Sequence, residues 1–284
     1  MSTVPPWLRA LVDDAAVFPP GNAALPDAVR AHQALRASPD ADLVGPIVVP
    51  ATSVDDLVAI VAGDDGATPL GVALVGTAEQ VAIAGPQAAA TPALLLESLQ
   101  CRLPGATRDA VDLAVETLRT TGETTTPTAL ELPLAGEDLG AGWRDAAATA
   151  ATHGVRVKLR TGGLSPDAFP TPRELATAIT TLVGLGVPFQ CTAGLHHAVR
   201  AEDPDDGLVH HGFLNVLLAT RASLDDADLR TVSSVLEEMS ADVLVEDVDA
   251  LGAGALTEAR RWFTSFGSCS TADPAADLRT LGLL

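Results

Sequence analysis

Short apolar runs alternate with amphipathic stretches along most of the chain. Each run is bounded by glycine, proline or small polar residues, which is typical of buried strands. The predicted strands lie at 11–18, 44–50, 70–75, 94–98, 128–133, 155–160, 188–193 and 242–246. Helical spacing of apolar residues predicts helices at 26–37, 53–61, 77–84, 107–118, 143–152, 171–186, 224–239 and 256–263. Buried strands that alternate with helices predict a parallel α/β domain.

One helix start is well marked and one apolar run is ambiguous. Thr171, Pro172 and Glu174 combine a capping box with proline at the first helical position. The run 213–218 fits a strand or a helix, because short apolar runs do not discriminate between them. We assign it to a helix, since a crossover between parallel strands needs one.

About eight strand-helix units fill the chain, as in α/β barrels. We therefore predict a single (β/α)8 TIM-like barrel over residues 1–264, followed by a C-terminal loop and short helix over 265–284 that pack on it. An open doubly wound parallel sheet is the alternative. No glycine-rich dinucleotide fingerprint follows the first strand, and the chain contains no P-loop.

The sixth predicted strand holds Lys158, the one lysine in a chain with 17 basic side chains. Arginine replaces lysine as solvated charge, but not as an amine that loses a proton or forms an imine. Because side chains alternate along a strand, Arg156, Lys158 and Arg160 share one face, and Val155, Val157 and Leu159 share the other. The outer face of a barrel packs on helices, so the three cations are expected to point into the lumen.

The same alternation predicts polar partners for Lys158. Glu97 near the end of strand four, Glu131 in strand five and Thr192 in strand seven are expected to face the same volume. Arginine neighbours and burial lower the pKa of a lysine, which prepares it as a Schiff-base nucleophile or a general base. We take Lys158, Glu131 and Glu97 as catalytic candidates; a structural ion network is the alternative.

Substrate-binding candidates surround this cluster at the strand ends. Arg160 and the backbone amides of Thr161, Gly162 and Gly163 suit a carboxylate or phosphate. The candidates after other strands are Thr192, His196, His197 and Asp14. Glu97, Glu131, Asp14 and His196 would also be the ligands of a divalent metal, the alternative to a mechanism without a cofactor.

A five-residue motif at the end of strand six has a counterpart in a known family. Lys158-Leu159-Arg160-Thr161-Gly162 resembles the Lys-x-x-Thr-Gly end of the sixth strand in deoxyribose-phosphate aldolases. The resemblance implies a class I aldolase in which Lys158 forms the imine. The match covers these five residues and the strand number, and the chain lacks the second lysine that the family carries on strand seven.

Composition restricts the partners. The formal net charge of −20 argues against nucleic acid and anionic membranes, which need basic patches. We expect a small anionic metabolite in a locally basic pocket; a homo-oligomer stays open. No apolar run reaches the ~20 residues of a membrane span, and the start lacks the features of a signal peptide.

The three cysteines are Cys101, Cys191 and Cys269, and they form no C-x-x-C pair. Their odd number and the lack of a signal peptide favour a reduced, cytoplasmic protein. Cys269 follows the eighth predicted helix, so we expect it at the N-terminal face of the barrel, away from the site.

These features predict a barrel enzyme of the lyase or aldolase type that acts on a small anionic carbonyl compound through Lys158. The alternatives are a metal-dependent enzyme, enolate-forming or hydrolytic, and a non-catalytic barrel that binds an anion.

Overall fold

The protein is a closed barrel of parallel strands in this computed structural model, which describes residues 4–62, 68–120, 125–134, 136, 139–163, 165–204 and 207–284. The barrel strands are β1 (Val12–Asp14), β2 (Val44–Pro50), β3 (Leu70–Gly76), β4 (Leu94–Arg102), β5 (Thr128–Glu131), β6 (Arg156–Arg160), β7 (Phe189–Thr192) and β10 (Phe263–Ser268). Their order around the barrel is β1, β10, β7, β6, β5, β4, β3, β2. The predicted (β/α)8 barrel is therefore confirmed, and the open sheet is wrong.

Helices surround the barrel; most lie between successive barrel strands, and the last follows β10. They are α1 (Leu25–Arg36), α2 (Val54–Val61), α3 (Ala78–Ala89), α4 (Arg108–Thr120), α5 (Gly140–His153), α6 (Pro172–Gly184), α7 (Phe213–Leu224), α8 (Leu229–Glu237), α9 (Ala241–Ala259) and α10 (Ala272–Thr280). The capping box of Thr171 and Glu174 begins α6 as predicted, and the ambiguous run belongs to α7. A two-stranded hairpin, β8 (Ala201–Glu202) and β9 (Val209–His210), lies between β7 and α7.

The eighth strand lies later in the chain than the sequence pattern predicted. Residues 242–246 belong to α9, where Leu244 and Val248 are buried at helical spacing and Val243 is exposed. Phe263–Ser268 instead pairs with β1 on one side and β7 on the other. The predicted barrel boundary after residue 264 falls within this strand, and the short C-terminal helix follows it as α10.

Aromatic packing fixes β10 against its surroundings. Phe266 stacks on Phe213 of α7, with ring centroids 5.0 Å apart. Phe263 stacks on Phe189 of β7 at 5.6 Å. All four rings are fully buried, so these contacts hold the last strand in the barrel wall.

The lumen has an apolar side and a polar side. Val48 of β2 and Ala73 and Val75 of β3 form a small buried cluster with Phe18 packed against it. Polar and charged side chains lie on the other side, on β4 to β7, β10 and β1. A ligand in the lumen would therefore meet an apolar wall opposite the polar groups.

The side chain of Arg260 ties the N-terminal segment to the barrel at the N-terminal ends of the strands, which we call the lower end. Arg260, just after α9, donates hydrogen bonds to the backbone carbonyls of Trp7, Arg9 and Phe263. These carbonyls belong to the first residues of the chain and the start of the last strand, so the arginine joins the two ends of the barrel wall.

Candidate active site

Lys158 lies at the centre of the polar side of the lumen. Its Cα neighbours are Glu131 on β5 and Gln190 on β7. Its Nζ donates a hydrogen bond to Oε1 of Gln100 on β4 at 2.7 Å, and the side chain is 5% exposed. Since Gln100 lies two strands away on β4, this bond passes over β5 inside the lumen, where alternation along β6 places the lysine.

Burial lowers the pKa of Lys158 from the ordinary 10.5 to about 8. The charge of Glu131 opposes this shift, and that of Arg160 reinforces it. A pKa of about 8 leaves roughly a tenth of the amine neutral at pH 7, against roughly 0.03% for an ordinary lysine. The buried amine is therefore a far better nucleophile or base than an exposed one.

Asp13 on β1 is a buried carboxyl of this lumen that the sequence analysis missed. Its Oδ2 accepts a hydrogen bond from Oγ of Ser265 on β10 at 2.9 Å. Burial raises its pKa from 3.8 to about 7, while the Ser265 bond and the charge of Lys158 lower it. A carboxyl with a pKa near 7 both accepts and donates protons at neutral pH.

Asp13→Asn is expected to change how stability depends on pH. Because the folded-state pKa of Asp13 is raised, its stabilising contribution is fully present below about pH 3.8 and is lost as the pH rises through about 7. Between about pH 5 and pH 8, the wild type should lose roughly 2–3 kcal/mol of unfolding free energy relative to this variant. Urea unfolding at both pH values measures the difference.

The control for that experiment is Asp249→Asn, which changes an exposed carboxylate on α9. Its unfolding free energy should follow that of the wild type at both pH values. If the unfolding free energy of Asp13→Asn changed with pH as that of the wild type does, the raised pKa of Asp13 in the folded protein would be contradicted.

Two arginines reach the C-terminal ends of the strands, which we call the mouth of the barrel. Arg160 at the end of β6 donates from Nε to Oε1 of Glu131 at 2.9 Å, and its side chain is 41% exposed. Arg102 ends β4 and is exposed; its charge lowers the pKa of Lys158. The mouth therefore carries two arginines, of which Arg160 is paired with Glu131.

Arg102 and Gln100 were missed because β4 is longer than predicted. The pattern ended this strand at Ser98, whereas it continues to Arg102. Alternation from Ser98 places Gln100 and then Arg102 on the lumen side. A strand drawn to its full length would have identified both residues.

Glu97 does not join Lys158. The register between β3 and β4 shifts at this point, where Val72 pairs with Leu96 and Ala73 with Ser98. Glu97 is the extra residue of this bulge. Its carboxylate lies against Gly71 near the start of β3, and burial raises its pKa. Glu97 comes three positions before Gln100 on β4, so it lies about 10 Å nearer the N-terminal ends of the strands than Gln100 does. Its predicted place beside Lys158 is therefore wrong.

Asp14 lies outside the lumen. Its Oδ2 is 3.0 Å from Nδ1 of the buried His32 on α1, and its Oδ1 accepts the backbone N–H of Ala16 at 3.1 Å. The carboxylate therefore joins the first strand to the helix that packs on it. Asp13, one position earlier, occupies the lumen that was predicted for Asp14.

The loops after β6 and β7 contact each other through their backbones. A Cβ on Gly162 would lie 2.8 Å from Cα of Gly194, and Gly194 has a positive φ of 73°. A Cβ on Gly163 would lie 2.7 Å from that of Ala168. The hydroxyl of Thr161 donates to the carbonyl of Ala193. Close packing therefore accounts for these small residues, whose predicted role was anion binding.

Thr192 and His196 lie at the mouth, whereas His197 turns away from it. Oγ1 of Thr192 is 3.7 Å from the position that a Cβ on Gly267 of β10 would occupy. His196 is half-buried, and burial lowers its pKa. His197 is exposed, with its Nδ1 3.1 Å from Oδ2 of Asp277 on α10. His197 thus anchors the loop to α10.

Metal ligands do not gather at one point in the described ranges. No group of three or more His, Cys, Asp or Glu side chains there has the spacing to hold a metal ion. The metal ligands predicted from the sequence do not meet, because Asp14 faces α1 and Glu97 lies near the start of β3.

The fold and the site define an α/β barrel with a buried lysine beneath two arginines at its mouth. No protein-family model matches the chain, and no curated protein matches it significantly. No helix in the described part of the chain is long and apolar enough to cross a membrane.

Proposed function

We propose that the protein is a lyase of the aldolase type that acts on a small anionic carbonyl compound without a cofactor. The observation that carries the proposal is Lys158, whose pKa is lowered to about 8 by burial in the lumen. A neutral amine in that position adds to a carbonyl carbon, and loss of water then gives an imine. The imine accepts the electron pair when the neighbouring carbon–carbon bond breaks.

The surrounding residues take separate roles in this proposal. Arg102 and Arg160 hold the anionic end of the substrate at the mouth, and Glu131 positions Arg160 through their ion pair. Asp13 transfers protons from the opposite side, because its pKa of about 7 suits both directions of transfer. Gln100 holds the amine of Lys158 in the lumen before the substrate arrives.

Reductive trapping tests the proposal at one side chain, because Lys158 is the one lysine of the chain. The protein is incubated with pyruvate, dihydroxyacetone phosphate or acetaldehyde and then reduced with borohydride. Its intact mass is measured by mass spectrometry. A single adduct belongs to Lys158 or to the α-amine, and peptide mapping separates the two. We expect the adduct on Lys158, formed faster with the anionic compounds than with acetaldehyde.

Arg160→Gln is the matched variant for the charge preference. It should reduce trapping of pyruvate more than trapping of acetaldehyde, because it removes one cation from the mouth and leaves the amine in place. Absence of any Lys158 adduct with turnover intact would exclude the imine. Lys158 would then act as a general base, the role that its lowered pKa also suits.

A further inference from the structure

Cys269 lies at the mouth of the barrel, because β10 is the last barrel strand. Gly267 of β10 pairs with Thr192 of β7, which pairs with Arg160 of β6. Cys269 directly follows Ser268, the last residue of β10. It is half-buried and packs against the loop after β1, where a Cβ on Gly21 would lie 3.2 Å from its own Cβ. The predicted position at the N-terminal face is therefore wrong.

The thiol of Cys269 has an imidazole beside it. Its Sγ lies 3.7 Å from Nδ1 of His196. Oγ of Ser268 lies 3.4 Å from the same nitrogen, but its hydroxyl donates to the carbonyl of Ser270 at 2.7 Å. Since that hydrogen is committed, the thiol is the donor that remains for Nδ1 of His196 in the tautomer whose proton is on Nε2.

The position of His196 is fixed by the residues that follow it. Oδ2 of Asp277 on α10 accepts the backbone N–H of Ala198 at 2.8 Å and also contacts His197. Leu195, on the other side, is fully buried. α10 follows Cys269 in the chain, and its Asp277 contacts the loop that carries His196. This contact holds the Cys269 segment and the His196 loop together.

Burial makes Cys269 a weaker acid and His196 a weaker base. Burial raises the pKa of Cys269, although the backbone N–H groups of Gly21 and Cys269 lower it, and Asp273 and Asp14 raise it further. Burial and the charges of His210 and His197 lower the pKa of His196, against Asp273 and Asp203, which raise it. The resting pair is therefore a neutral thiol and a neutral imidazole.

We propose that Cys269 is a second nucleophile of the barrel, which adds reversibly to the carbonyl carbon of an anionic aldehyde while His196 accepts its proton. The sulfur forms a bond to that carbon, and the carbonyl π electrons move to the oxygen. His196 passes the thiol proton to this oxygen, which gives a hemithioacetal without any oxidant or reductant. The inference rests on the proposed function for its choice of an anionic carbonyl ligand, but it does not require Lys158.

The other two cysteines serve as internal controls. Cys101 on β4 is 1% exposed and Cys191 on β7 is fully buried. Burial raises the pKa of Cys101 to about 12 and that of Cys191 further. Both belong to the apolar core between the strands and the helices, so alkylation of the folded protein should occur at Cys269 alone.

Protection from alkylation tests the inference. Iodoacetamide is applied to Lys158→Met protein, which cannot form the imine, with glyoxylate or glycolate present. Glyoxylate is an anionic aldehyde, whereas glycolate has the same charge and similar size but no aldehyde group. Glyoxylate should slow alkylation of Cys269 with saturation, and glycolate should have little effect. The wild-type protein is measured in parallel, so the readout does not depend on one variant folding.

His196→Gln supplies the second readout. It should slow alkylation of Cys269 at least ~10-fold near neutral pH, because the thiol loses its proton acceptor. Equal protection by glyoxylate and glycolate, or an unchanged rate in His196→Gln, would overturn the inference. Protection without borohydride trapping would reject the imine and keep the thiol, and trapping without protection would do the reverse.

Discussion

Lys158→Met is expected to abolish borohydride trapping on the lumen side chain and to lower turnover of a carbonyl substrate at least ~10³-fold. Methionine fills a similar volume but has no amine that adds to a carbonyl or accepts a proton. The fold should persist at a cost of ~1–3 kcal/mol, because methionine removes the hydrogen bond that the buried amide oxygen of Gln100 accepts. Glu131 keeps its ion pair with Arg160.

The matched control is Arg156→Met on the same strand. It removes a cation of the same β6 face, two positions below Lys158, and should leave trapping intact. Intact-mass spectrometry after reduction and steady-state rates on the substrate that traps best measure both variants. An equal loss of activity in the two variants would indicate that the charge of β6, and not its amine, is what matters.

Phe266→Ala is expected to lower the unfolding free energy by ~3–5 kcal/mol, the usual cost of truncating a fully buried phenylalanine. The ring stacks on Phe213 of α7 and on Phe263 of its own strand, and the cavity would open where β10 meets α7. Because β10 also carries Ser265 and precedes Cys269, alkylation of the thiol should lose its protection by glyoxylate. Urea unfolding and the alkylation assay measure the two effects.

Leu113→Ala provides the comparison for the packing effect. Its side chain on α4 is 62% exposed, so truncation should change the unfolding free energy by less than ~0.5 kcal/mol. A similar small change in Phe266→Ala would mean that Phe263–Ser268 does not close the barrel.

The sequence predicts the barrel and the face of β6 correctly because both depend on simple periodicity. Lys158 reaches the lumen through alternation along a regular strand. Glu97 was misplaced because a bulge changes the phase of β4 at that residue, and no local pattern announces it. The true lumen residue, Gln100, lies just beyond the bulge.

Short polar strands were the other source of error. β1 has three residues, Val12–Asp14, so alternation alone cannot decide whether Asp13 or Asp14 points inward. Contact with His32 on α1 settles that choice. β10 has threonine and serine between its phenylalanines and glycine and serine after them, so it looks like a loop, whereas residues 242–246 look like a strand. Long-range pairing with β1 and β7 overrides both patterns.

Ser265 and Asp13 form their hydrogen bond across 252 positions of the chain, which has a consequence for biosynthesis. At ribosomal rates of ~5–20 residues per second, β1 waits ~10–50 s before its partner β10 is made. Until then the growing chain has two unpaired sheet edges and no closed lumen. Contacts this distant in sequence also make folding slow. The carboxyl and the lysine that share this lumen are therefore assembled only at the end of translation, and chaperones that cover open strand edges should influence the yield of active protein.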